Sequence, residues 1–176
     1  LNSATTPQQV VRHLSPRSAS DDRLFGYRSS GDIYTRPMFP RVDGLRAMEF
    51  GTPGAMRSRL VDLVLHGNKR ATAGLLAEYV TEGEVVEHVG ELLAMLDNEG
   101  RHVGTLRIRR VDVLPFAEVP DEFALAEAEG DLNAADFRMS HLAYWSKVGE
   151  QVSDDTQIVT LYFDLLPEIV RSGYAP

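Results

Sequence analysis

The 176-residue chain has no cysteine. That absence removes disulfides, thiol nucleophiles and cysteine-ligated zinc together, and with them any zinc-dependent nucleobase deaminase. No apolar run approaches the roughly 20 residues of a membrane helix. The opening stretch, "LNSATTPQQVVRHLS", lacks the hydrophobic segment of a signal peptide. The first residue is not Met, so the numbering is expected to start inside a longer or processed product. A cytoplasmic, bacterial-type protein is the resulting expectation. His13, His66, His88, His102 and His141 are scattered, without the His-Glu-x-x-His spacing of a zinc site. Glu84 and His88 stand four apart, but one such pair is common by chance. No metal and no cofactor is expected. A phosphate-binding Walker loop, a Gly-x-Ser-x-Gly elbow and internal repeats are missing too.

A basic excess is also lacking. The net charge of −8 argues against capture of a polyanion by the whole surface, because phosphate binding runs on Lys and Arg. The charge is uneven, however. "RHVGTLRIRR" carries four Arg, whereas "TEGEVVEHVGE" carries four Glu and no basic residue. Any nucleic-acid role must be local, and a small nucleobase ligand suits this composition better than long RNA.

What is present divides the chain in two. Residues 1–46 are rich in Ser, Pro, Arg and Asp, with one short helical pattern at "PQQVVRHL". They read as an N-terminal arm, too thin in apolar residues for a domain. The arm is expected to wrap the main domain or a second copy of it, which would give a homodimer. Residues 47–176 read as the folded unit. Thr52 can cap a helix whose first residue is Pro53. Met56, Leu60, Leu63 and Val64 share one face, and Gly67 supplies the stop. "ATAGLL" reads as a strand and "AEYVTEGEVVEHVGE" as an acidic excursion. "ELLAMLD" and "HVGTLRIRRVDVLPF" read as strands joined at "NEG". "VPDEFALAEAEG" and "NAADFRMSHLAYWSKVGE" read as helices, and "TQIVTLYFDLL" as a final strand. Strands and helices without regular alternation give an α+β fold, best drawn as a small, partly closed barrel with helices outside.

The order of these stretches resembles the ASCH domain family, which is related to the PUA domains. The resemblance is carried by "EFGTPGAMRSRLVDLVLHGNKRATAGLLAEY", "HVGELLAMLDNEGRHVGTLRIRRVDVLPFAEV", "EFALAEAEGD" and "HLAYW", and covers about residues 49–166. It implies a PUA-like mixed β-barrel with a cleft between barrel and first helix. The family was proposed to bind RNA. One bacterial branch hydrolyses N4-acetylcytidine, and another member has been described as a ribonuclease. The hydrolase branch uses a Lys, a Thr and a Glu. Its Gly-x-Lys-x-x-Thr segment matches Gly67, Lys69 and Thr72, and its Ala-Glu-x-Glu segment matches Ala126 to Glu129, placing the acid at Glu129. Thr72 and Gly74 stand where the broad family motif has Glu and Arg, which removes a bidentate contact for a phosphate or base edge.

Each of these residues also has a plainer reading. Lys69 just past a helix end favourably faces the negative end of the dipole; as a catalyst, a partly buried Lys could take a proton from a neighbouring hydroxyl. Thr72 either opens a strand or supplies that hydroxyl. The two would not share a face in a regular strand, so the loop after Gly67 must bend. Glu129 is a solvated acid or a general acid–base, with Glu127 as its rival. His141, Tyr144 and Trp145 fall on one helix face and either pack or line the cleft. Arg107 and Arg109 share a strand face and, with Gly67 and Arg70, complete the candidate substrate contacts. Three functions follow: an amidohydrolase on an N-acylated pyrimidine nucleoside or related small amide, a non-catalytic module for single-stranded RNA, or a ribonuclease using the same cleft.

Overall fold

The structure, a computed structural model, describes residues 39–167. Six strands form one sheet: β1 (Arg41–Val42), β2 (Leu45–Met48), β3 (Ala71–Leu75), β4 (Leu92–Leu96), β5 (His102–Pro115) and β6 (Gln157–Leu165). Four helices accompany it: α1 (Ala55–Leu65), α2 (Leu76–Glu82), α3 (Asp121–Glu127) and α4 (Ala134–Lys147). The strand order is β1-β2-β4-β5-β6-β3, with β2 and β4 parallel and every other pair antiparallel. The fold is thus mixed α+β. The sheet is not closed into a barrel, and β1 and β3 are its two ends.

Burial on both faces explains why β6 is mostly apolar instead of alternating. Val159, Leu161 and Phe163 point into one cluster with Phe50, Leu60, Val64 and Leu106, packed beneath α1. Ile158 points the other way, into a second cluster with Phe116, Phe123, Phe137 and Trp145 from the α3–α4 side. In β5 the apolar period slips once. Leu106 and Ile108 are buried, Arg109 and Arg110 are both exposed, and Val111 packs inward again. The pairing with β6 shifts between Ile108 and Arg110, so one extra residue is accommodated as a bulge.

Several sequence expectations change in detail. Helix α1 starts at Ala55 behind Gly54, rather than at Pro53 behind Thr52. The reason lies in the β4–β5 turn: Asn98 Oδ1 accepts from the Gly54 amide at 2.7 Å, and Asn98 Nδ2 donates to Ser58 Oγ at 2.8 Å. An external side chain thus does the work of the cap. The acidic excursion begins as a helix, α2, which ends at the left-handed Gly83. Residues 41–46, assigned to the arm, form β1 and the start of β2, joined by Asp43 and Gly44 at φ 52° and 79°. Positive φ at both central residues is the geometry of a two-residue Asp-Gly hairpin. The helical stretch "PQQVVRHL" and the remainder of the arm lie outside the described residues.

Ala128, directly after α3, is left-handed at φ 55°. This conformation costs an L-residue roughly 1–2 kcal/mol, of which glycine's extra unfolded-state freedom offsets part. Ala128→Gly is therefore expected to raise unfolding free energy by about 0.5–1 kcal/mol. A urea midpoint that stays or falls would count against the strain.

Candidate functional site

The stretch "GNKRAT" is the hinge on which the site is built. Gly67 turns the chain at φ 75°, and the Asn68 and Lys69 amides both donate to the Leu63 carbonyl. The chain therefore turns sharply just before Lys69. The Arg70 amide donates to the Ala126 carbonyl at 2.8 Å, and the Phe163 amide donates to the Arg70 carbonyl at 2.9 Å. One residue's backbone thus ties the loop to the end of α3 and to β6. The left-handed step at Ala128 follows immediately, and the acids on either side of it both reach Lys69.

Lys69 is only 1% exposed. Its Nζ donates to Glu129 Oε1 at 2.5 Å and lies 3.7 Å from Glu127 Oε1 and 5.5 Å from the centre of the Phe50 ring. Glu127 is equally buried, with Oε2 3.4 Å from His141 Nε2. Burial pushes the Glu127 carboxyl up to about 8, assisted by the negative charge of Glu129 and opposed by Lys69 and the Ala73 amide. Burial likewise lowers His141 from its ordinary value, against the pull of Glu129. His141 Nδ1 lies 3.1 Å from the Phe137 carbonyl, and its ring stacks on Phe137 at 3.9 Å.

These groups border a cleft of about 510 Å³, lined by Thr72, Gly74, Glu127, Glu129, Asp131, His141, Tyr144 and Trp145 on one side. Phe50, Met56 and Arg57 contribute from the α1 side, Tyr79 from α2 and Glu87 from the segment after it. Thr72 pairs with Leu161 across the sheet and so faces the α1 side. Among the sequence candidates, Thr72, Glu129, His141, Tyr144 and Trp145 line this cleft; Lys69 does not line it and lies behind Glu127 and Glu129, which do. Gly67 makes the turn. The Arg70 side chain is exposed, and Arg107 and Arg109 both pair with Asp164, at 3.5 and 3.3 Å; none of the three lines the cleft.

Sequence reasoning missed the far wall. Arg57, almost fully buried, contacts Glu49 and the Phe50 and Gly51 carbonyls. Buried Arg46 holds Glu87, to which the Tyr79 hydroxyl donates at 2.9 Å. Burial raises both the Glu87 carboxyl and the Tyr79 phenol from their ordinary values. Only the repeat "AEAE" hinted at a second acid; the Arg46–Glu87 contact spans 41 residues and leaves no local pattern. Among the described residues, no His, Asp and Glu cluster could hold a metal ion, and no helix is long and apolar enough to cross a membrane.

A family model described as ASCH domain matches residues 46–167. Two crystal structures are similar to the chain. One is an ASCH domain from Lactobacillus crispatus JV V101, with a TM-score of 0.59 and 26% identity over 68% of this chain and 77% of that one. The other is a protein from Enterococcus faecalis V583, with a TM-score of 0.60 and 26% identity over 67% of this chain and 74% of its own. No curated protein sequence matches the chain.

Proposed function

The chain belongs to the ASCH domain family, and on that premise we propose that it is an amidohydrolase acting on an N-acylated pyrimidine nucleoside or a related small amide. The observation that carries this reading is the contact of Lys69 with Glu129, 2.5 Å apart beside the cleft that Thr72 lines. The pair shares one proton, and the reacting form carries it on Glu129. With the proton on Glu129, the free Lys69 amine accepts the Thr72 hydroxyl proton as Oγ1 attacks the acyl carbon. The C–N bond then breaks as Glu129 gives its proton to the departing exocyclic amine. Water attacks the Thr72 ester and loses a proton to Glu129. Lys69 returns its proton to Thr72 as the acid leaves, which restores the starting state.

The lining weighs against a polyanion. Glu49, Glu78, Glu87, Glu127, Glu129 and Asp131 face the cleft against Arg57 and Arg59. Such a wall repels phosphate and suits a neutral ligand rich in hydrogen-bond donors. Arg107 and Arg109, the best phosphate candidates on the sheet, already face Asp164.

The test is incubation with N4-acetylcytidine and chromatography of the products. Wild-type protein is expected to release cytidine and acetate, and Thr72→Ala to lose about 10²–10⁴ of that rate. No release by the wild type at high enzyme over hours would sink this substrate. Tight, steeply salt-dependent binding of single-stranded RNA would favour the RNA module instead.

A further inference from the structure

We propose that Glu127 and His141 form a proton-holding pair behind the reacting groups. The protonated Glu127 carboxyl donates through Oε2 to Nε2 of a neutral His141, so that Lys69 faces one anion, Glu129, instead of two. Glu127 is then a positioning residue, and its effect on turnover rests on the amidohydrolase reading.

The geometry points this way from both ends. His141 Nδ1 faces the Phe137 carbonyl at 3.1 Å, which can only accept, and the Ser140 hydroxyl at 3.4 Å, whose own proton goes to Asp131 Oδ2 at 2.8 Å, so the proton of a neutral ring sits on Nδ1. Nε2 is left with its lone pair, aimed at Glu127 Oε2 at 3.4 Å. Two bare acceptors would repel there. Glu127 Oε2 is buried and has no other hydrogen-bond partner. A proton on Oε2 satisfies both atoms at once, and an orphaned buried acceptor is costly. Oε1 lies 3.7 Å from Lys69 Nζ, an ionic contact on the other side of the carboxyl.

The charged groups around the pair agree with this assignment. From the loop before β3 comes Lys69, the one cation that lowers Glu127; from the segment after α3 come Glu129 and Asp131, both of which raise it. β3 contributes only the Ala73 amide, and α4 contributes His141. Arg59 of α1 donates to the Glu129 carbonyl, not to a carboxylate of the pair. Two of the three neighbouring charges are therefore negative, and burial acts in the same direction as they do.

The arrangement has a consequence for the reaction. When Glu127 ionises, Lys69 stands between two carboxylates and is held as an ammonium that cannot accept the Thr72 proton. Turnover should then fall above about pH 8. Glu127→Gln cannot ionise, while its amide can still donate to His141 Nε2. The variant is expected to move the alkaline limb of the pH profile upward by at least about one pH unit.

The decisive experiment reads the pair directly in the wild-type protein. Carbon-13 NMR of the glutamate carboxyls, with Glu127 assigned through Glu127→Gln, is expected to show titration near pH 8. Nitrogen-15 NMR is expected to show His141 neutral at pH 7, with its proton on Nδ1. Titration of Glu127 in the ordinary carboxylate range, or a proton on His141 Nε2, would overturn the pair. An unchanged alkaline limb in an active Glu127→Gln would overturn the positioning role. Absence of activity in every variant would sink the hydrolase reading and leave the NMR result to decide the pair by itself.

Discussion

Lys69→Met is expected to abolish measurable hydrolysis of N4-acetylcytidine, a loss of about 10²–10⁴ for a proton-transfer group, and to destabilise the fold by about 3–5 kcal/mol at neutral pH. Methionine keeps most of the stem that passes Phe50 and removes the ammonium. Glu127 and Glu129 then face each other without the cation that both contact. The cost should depend on pH, and its sign can be worked out. Glu127 already has a folded value above its ordinary 4.5, and Lys69 is what holds it down. Without Lys69 the folded carboxyl keeps its proton to still higher pH. Between the unfolded and folded values the native state binds more protons than the unfolded one, so stability falls as pH rises. The part of the deficit that comes from Glu127 should stay level up to about pH 8 and widen above it, where the wild-type carboxyl ionises in the folded state and the variant's does not. Urea midpoints measured from pH 5 to 9 read this directly. A deficit constant across that range would mean that Lys69 contributes packing and little charge. Unchanged turnover would remove it from the reaction.

How much of this was legible depends on the range over which each feature is encoded. The turn at Gly67, the apolar face of α1 and the apolar run of β6 are local patterns, and the structure has all three. The β1–β2 hairpin was legible in principle, since "VDGL" is a two-residue turn signal. It was lost because the strands are short and most of the hairpin was read together with the polar arm that precedes it. Helix α2 was obscured in the opposite way: "AEYVTE" continues into glycine-punctuated acidic sequence, and only Tyr79 of the helix is fully buried. Tertiary packing, not periodicity, makes it a helix.

The site shows the same division. The chain has two lysines against sixteen arginines, so a lysine in the loop after α1 was already distinctive. Glu129 emerged from resemblance, but no sequence rule could rank it against Glu127. Both acids reach Lys69, because the backbone reverses hand at Ala128 between them. The difference lies in surroundings: Glu127 is sealed against His141, while Glu129 keeps some exposure to the cleft. Burial of that kind is set by α4, which is anchored by Asn133 at its own N-terminus and by Asp121 of α3 accepting from the Ala134 amide. None of that is written in "AEAE".

The buried arginine of the opposite wall should matter as much for stability as Lys69 does. Arg46→Met is expected to cost about 3–5 kcal/mol, as for one partner removed from a buried ionic network. Arg46 Nη1 donates to the Val85 carbonyl at 2.7 Å and lies 3.3 Å from Glu87 Oε1. Its Nε lies 3.3 Å from Glu91, its Nη2 lies 3.7 Å from Glu84, and its guanidinium covers the Phe39 ring. One side chain therefore fastens the whole segment between α2 and β4 to β2. Burial already raises Glu87, and Arg46 opposes that rise. Removing Arg46 raises it further, so the deficit should again grow as pH climbs through the carboxylate range and above. Adding Glu87→Gln to Arg46→Met deletes the stranded charge, and the amide can still accept from the Tyr79 hydroxyl. The double variant should therefore be more stable at pH 8 than Arg46→Met alone, with a coupling of about 0.5–3 kcal/mol. Strict additivity, or equal losses at pH 5 and pH 8, would show that Arg46 acts through packing over Phe39 instead. Because Tyr79 and Glu87 also line the cleft, the coupled result would place its far wall under the control of a residue that does not itself line it.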